Sequence, residues 1–121
     1  MDMESVIETR SEQLLLRASH FGASDLHLIP FEQHYAIMFR KYGQFIQAGE
    51  LTNEIALRII SYFKFLSSLD ISEKRKPQSG AFQKQLHQLP FAFRVSTLPS
   101  AFGKESLAIR ILRQNYTLPL S

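Results

Sequence analysis

The 121-residue sequence has no cysteine and no tryptophan, and only five glycines and five prolines. Without cysteine there is no disulfide scaffold, no thiol nucleophile and no cysteine-ligated zinc, and a reducing compartment is expected. So little glycine and proline excludes collagen-like and low-complexity chains. No apolar run nears the roughly 18–20 residues of a membrane-spanning helix, and Met1-Asp2-Met3-Glu4 lacks the basic-then-apolar start of a secretory leader. Net charge is small as well: 14 basic against 11 acidic residues leave +3, which suits an acidic partner without naming one. What is present, 45% hydrophobic and 21% charged residues, is the composition of one globular domain long enough to bury a core.

The pattern along the chain predicts an α+β domain. Val6, Ile7, Leu14, Leu15 and Ala18 form one stripe of a helix from Glu4 to about His20, with Gly22 as its stop. Alternation predicts strands at 25–29, ended by Pro30, at His34–Arg40 and at Phe45–Ala48, with a turn at Gly43. Thr52 or Asn53 can cap a helix running to Ser67 or Ser68, whose stripe is Ile55, Ile59, Ile60, Phe63 and Leu66. A polar loop over Leu69–Gly80 leads to strands at Phe82–Leu86, Phe91–Leu98 and Glu105–Leu112, the last two joined by a turn over Pro99–Lys104. The order is α-βββ-α-βββ, an antiparallel sheet with helices on one side. Residues 114–121 show no pattern and read as a linker stub.

Most chemical motifs fail on inspection. Gly103-Lys104 lacks the rest of a phosphate-binding loop, since Leu98 stands at the first glycine and Glu105 at the magnesium-binding hydroxyl. Asp25 and His27 share a strand face, but a metal needs more converging ligands than one pair. No nucleophile elbow or paired acid–base carboxylates stand out. Lys74-Arg75-Lys76 suits a solvated loop, although it could hold phosphate; with Phe82, Phe91 and Phe93 it could serve a nucleic-acid-binding module. A stand-alone sensor with a small ligand in its sheet is the other alternative.

Parity in the last two strands is more informative. Arg94 lies opposite Phe91, Phe93 and Val95, and Arg110 opposite Leu107, Ile109 and Ile111. If these strands form a hairpin, their apolar residues share one face, and both arginines fall on the other. One allowed register sets them directly opposite each other. Like charges so placed repel unless an anion or carboxylate intervenes. Two readings stay open: both side chains snorkel to water, or together they clamp an anion, the guanidinium fork being suited to phosphate.

Several ordered segments resemble the N-terminal region of the secretion traffic ATPases, which drive type II secretion, type IV pili and the related DNA-uptake pseudopilus. Ala23-Ser24-Asp25-Leu26-His27-Leu28-Ile29-Pro30 is similar to their A-S-D-I/L-H-I/L-x-P strand, and Arg40-Lys41-Tyr42-Gly43 to their R-x-D-G hairpin. Residues 69–80 resemble L-D-I-x-E-x-R-x-P-Q-D-G, Arg94-Val95-Ser96-Thr97-Leu98-Pro99 matches R-V-S-T-x-P, and 103–112 resembles a strand ending in L-R-x-L. The likeness covers about residues 20–113, with Tyr42 and Ser79 where the family has aspartate. Among these ATPases the competence pseudopilus branch is the most similar.

The resemblance implies a PAS-like fold over residues 1–113 and an absent RecA-like catalytic domain after 114–121. It implies ATP and magnesium in the full-length protein, none held tightly by this fragment, which would itself be no enzyme. It also implies partners: that catalytic domain, the other subunits of a hexamer and an inner-membrane platform protein, with no direct nucleic acid. The setting would be cytoplasmic, peripheral at the cytoplasmic face of the plasma membrane. Residues at the positions of Arg94 and Arg110 contact the nucleotide phosphates in the family, and Arg75 is a third candidate from the basic loop. The further N-terminal domain of many relatives, which docks on a membrane adaptor, would be lacking here.

Overall fold

The structure, a computed structural model, describes residues 2–113, so the expected linker lies outside the described residues. Helix α1 spans Met3–Phe21. The Asp2 carboxylate caps it by accepting from the Ser5 amide at 2.8 Å, and Gly22 ends it in the left-handed conformation at φ 83°. Strands β1 (Asp25–Pro30), β2 (His34–Lys41) and β3 (Gln44–Thr52) follow as hairpins, then α2 (Asn53–Leu66), capped by Thr52. Strands β4 (Gln78–Leu86), β5 (Leu89–Pro99) and β6 (Glu105–Arg113) follow, with a 3-10 turn at Ala101–Gly103 between the last two. This is the α-βββ-α-βββ order read from the pattern.

All six strands form one antiparallel sheet in the order β3-β2-β1-β6-β5-β4. Each three-stranded meander is local in sequence, and the β1–β6 pairing joins the two across the middle. Both helices pack on one face. Ile7, Leu14, Leu15 and Ala18 of α1 and Ala56, Ile59, Ile60 and Phe63 of α2 form a core with Leu26, Leu28, Ile37, Phe39, Phe93, Val95, Leu107 and Ile109 of the sheet. Phe63, Phe82, Phe93 and Phe91 stack in a continuous line through it, with ring centroids 4.9 to 5.9 Å apart.

Two boundaries differ from the sequence reading by four residues. Strand β4 begins at Gln78 rather than Phe82, and β3 runs to Thr52 rather than Ala48. Both are edge strands, half solvated, so their polar residues pair without an apolar alternation to announce them. In β3 a bulge opposite Ile37/Met38, where Ala48 is left unpaired between Gln47 and Gly49, further breaks the period.

The loop between α2 and β4 is anchored from within. Lys64, on the core side of α2 and only 1% exposed, donates from Nζ to the Glu105 carboxylate at 2.9 Å and to the carbonyls of Glu73 at 2.8 Å and Ile71 at 3.5 Å. Gln78 closes the loop from its far end, accepting from the Asp70 amide and donating to the Asp70 and Glu73 carbonyls. The Tyr35 hydroxyl donates to the Glu105 carbonyl at 2.7 Å, and burial, with the Glu105 carboxylate nearby, pushes that phenol up to about 12.

Candidate functional site: an arginine row on the open sheet face

The sheet face away from the helices carries the residues of opposite parity. In register across it run Phe45, Arg40, Asp25, Arg110, Arg94 and Ala81, one from each strand. Arg94 and Arg110 are therefore direct cross-strand partners, their Cα atoms on the order of 5 Å apart. This is the register in which the sequence parity made them meet. The neighbouring rows on that face hold Ala108, Ser96 and Ser79 on one side of the arginines and Leu112, Ala92 and Gln83 on the other.

The like charges are reconciled by a carboxylate from a third strand. Arg110 Nε donates to Asp25 Oδ1 at 3.1 Å, and Asp25 Oδ2 accepts from the Ser24 hydroxyl at 2.7 Å. Asp25 is only 6% exposed. That burial pushes its pKa up, but the hydrogen bonds from Ser24 and Arg110 and the Arg110 charge outweigh it, and the net shift is downward. Arg110 is mostly exposed, and Arg94 has no ion-pair partner among the described residues. Arg40 lies 5.8 Å from the centroid of the Phe45 ring. Three guanidinium groups against one carboxylate leave this row net positive.

His27 sits beside Asp25 on the same face, edge-on to Phe45 at 5.0 Å, and its Nε2 is buried without a hydrogen-bond partner. Burial lowers its pKa, Asp25 opposes that and Arg40 adds to it. Among the described residues no group of acidic or histidine side chains could hold a metal ion. Arg75 stands apart from the row, in the loop before β4, with its Nε 3.9 Å from Glu73 Oε1. Phe82, Phe91 and Phe93 are buried in the core, which removes them as stacking platforms for bases beside the basic loop. Asp25 and Arg40 join the arginine pair only through the β1–β6 pairing, which closes over 85 residues and has no local signature in the sequence.

Residues 1–120 match the family described as type II/IV secretion system protein. The chain belongs to that family. It is 40% identical over 113 residues to competence protein ComGA of Bacillus subtilis, covering 93% of this chain and 31% of that protein. Likeness to the type IV pilus assembly ATPase PilB of Pseudomonas aeruginosa is 39% over 101 residues, 83% of this chain and 18% of PilB. Type II secretion system protein E of Klebsiella pneumoniae is 37% identical over 102 residues, 84% of this chain and 20% of that protein. The chain thus spans less than a third of these relatives' length. No helix among the described residues is long and apolar enough to cross a membrane.

Proposed function

We propose that this chain is the non-catalytic N-terminal regulatory domain of a hexameric secretion or pilus-assembly ATPase, of the competence pseudopilus branch. In this reading a RecA-like domain of the same protein binds ATP and magnesium and performs hydrolysis. The open face of this domain closes over the nucleotide, and the opening and closing motion passes to an inner-membrane platform protein and the DNA-uptake pseudopilus. The setting is the cytoplasmic face of the plasma membrane.

The observation that carries the reading is the direct pairing of Arg94 with Arg110 on the face the helices leave uncovered. Two adjacent guanidinium groups, one unpaired and one engaged through Nε alone, fit the oxygens of a polyphosphate. They would neutralise charge at a site whose chemistry is supplied by another domain. Arg75 is a third contributor in this reading, reaching the nucleotide from its loop.

The test is ATP turnover of the full-length protein with Arg94→Ala and, separately, Arg110→Ala. Each should lower turnover about 100-fold or more, the range found for loss of a transition-state hydrogen-bond donor. Arg94→Ala should leave thermal unfolding of the domain little changed, while Arg110→Ala also removes the partner of Asp25 and should lower the domain's Tm. Normal turnover in both variants would refute the phosphate-contact role.

A further inference from the structure

Asp25 lies on β1 with an arginine as cross-strand partner on each side, Arg40 on β2 and Arg110 on β6. Its carboxylate is fixed from behind. Ser24, which donates to Oδ2, is itself pinned by its amide to the Arg40 carbonyl at 2.8 Å and by its carbonyl to the Ile111 amide at 3.0 Å. Asp25 is therefore a stationary negative charge, while Arg110 is held by one Nε contact on a mostly exposed side chain. The two terminal nitrogens of Arg110 donate to no described residue, so the outward fork is open to a second anion.

We infer that Asp25 is the built-in counter-ion of the arginine row: it holds Arg110 while no anion is present, and it weakens the row's grip on a bound polyphosphate so that the ligand can leave. The inference rests on the reading of this face as a polyphosphate site, and it assigns tuning rather than binding to Asp25. Its physical basis is that three guanidinium charges on neighbouring strands attract any polyanion strongly, and one fixed carboxylate within the row opposes that attraction. A row without the carboxylate would also repel itself in the free domain, where no ligand offsets the charge.

The test uses this 121-residue chain, which carries its own core, with inorganic tripolyphosphate as probe. Affinity is measured by calorimetric titration at about 20 mM salt, where exposed charges are weakly screened. Asp25→Asn should bind about three- to tenfold more tightly than the wild type, an advantage that shrinks at ~0.5 M salt. Asp25→Glu, which keeps the charge, should stay within about twofold of wild type, which a purely steric role would not predict. A folded Asp25→Asn that binds equally or more weakly, while Arg94→Ala still loses binding, overturns this inference alone. No binding by wild type or Asp25→Asn at millimolar tripolyphosphate overturns it together with the polyphosphate reading.

If Asp25→Asn does not fold, the wild type answers the same question by nitrogen-15 NMR of the arginine Nε–H groups. The Arg110 signal should be slow to exchange in the free chain and should move with that of Arg94 as tripolyphosphate is added. Movement of Arg94 alone overturns the inference.

Discussion

Lys64→Met is the sharpest perturbation of the fold. Methionine keeps most of the lysine stem's volume on the core side of α2 and removes only the ammonium. In the wild type that ammonium meets Glu105 Oε1 at 2.9 Å and the carbonyls of Glu73 and Ile71. Both partners of the ion pair are almost fully buried, and Glu105 Oε2 has no partner of its own among the described residues. Losing Lys64 therefore strands a carboxylate in the interior, at a cost of about 3–5 kcal/mol. An unfolding entropy of about 2.1 cal/mol/K per residue, over the described chain, converts this to a fall in Tm of roughly 13–21 °C. Such a loss is a large share of the ~5–15 kcal/mol that holds a typical domain together. The double variant Lys64→Met with Glu105→Met removes both charges and should recover most of the loss, because a buried ion pair adds little over well-packed apolar residues. Thermal and urea unfolding followed by circular dichroism measure both variants. A Lys64→Met Tm within about 3 °C of wild type, or a double variant as unstable as the single one, refutes the assignment of that cost to a stranded charge.

Other perturbations test separate parts of the structure. Gly80→Ala would bring a Cβ to 2.8 Å from the Ser67 carbonyl oxygen, so it should destabilise by about 1–3 kcal/mol in urea unfolding, and an unchanged midpoint would show that β4 shifts freely. Phe93→Ala empties the middle of the phenylalanine stack and should cost about 3–5 kcal/mol, measured the same way. Asp25 has a pKa lowered by folding, so its contribution to stability is complete above its usual value of about 3.9 and lost as pH falls through the lower folded value. Wild type should accordingly lose stability in that acid range more steeply than Asp25→Asn, and parallel curves would contradict the Asp25–Arg110 contact. Tyr35→Phe removes the hydroxyl that the Glu105 carbonyl accepts from and should cost about 0.5–1.5 kcal/mol, read as a shifted urea midpoint.

Both helices, all six strand positions and the facing arginines were legible because their signals are local. The α2 stripe of Ile55, Ile59, Ile60 and Phe63 obeys the helix period, and two-residue alternation in β5 and β6 decides the face of every side chain. Lys64 shows where such reading stops. It stands four residues after Ile60, on the buried side of the helix, so a lysine in the stripe was visible. Its acceptors were not, since Glu105 lies 41 residues away and the two carbonyls belong to a loop without periodicity. Asp25 is similar: its pairing with His27 on one strand was plain, whereas its actual partner arrives by the long-range β1–β6 closure.

Strand β6 connects these features. Glu105 at its start points to the helix side and receives Lys64, while Arg110, of opposite parity, points to the open face and receives Asp25. One central strand thus ties α2 and the loop after it to the arginine row, with antiparallel neighbours on both sides. A force applied to the row meets a paired strand rather than a free loop, and the buried Lys64–Glu105 contact at that strand's start resists its sliding past α2. In the proposed reading this is what a domain that closes over a nucleotide requires: phosphate contacts made on a stiff sheet, so that closure moves the domain as a body instead of bending the arginines toward their ligand.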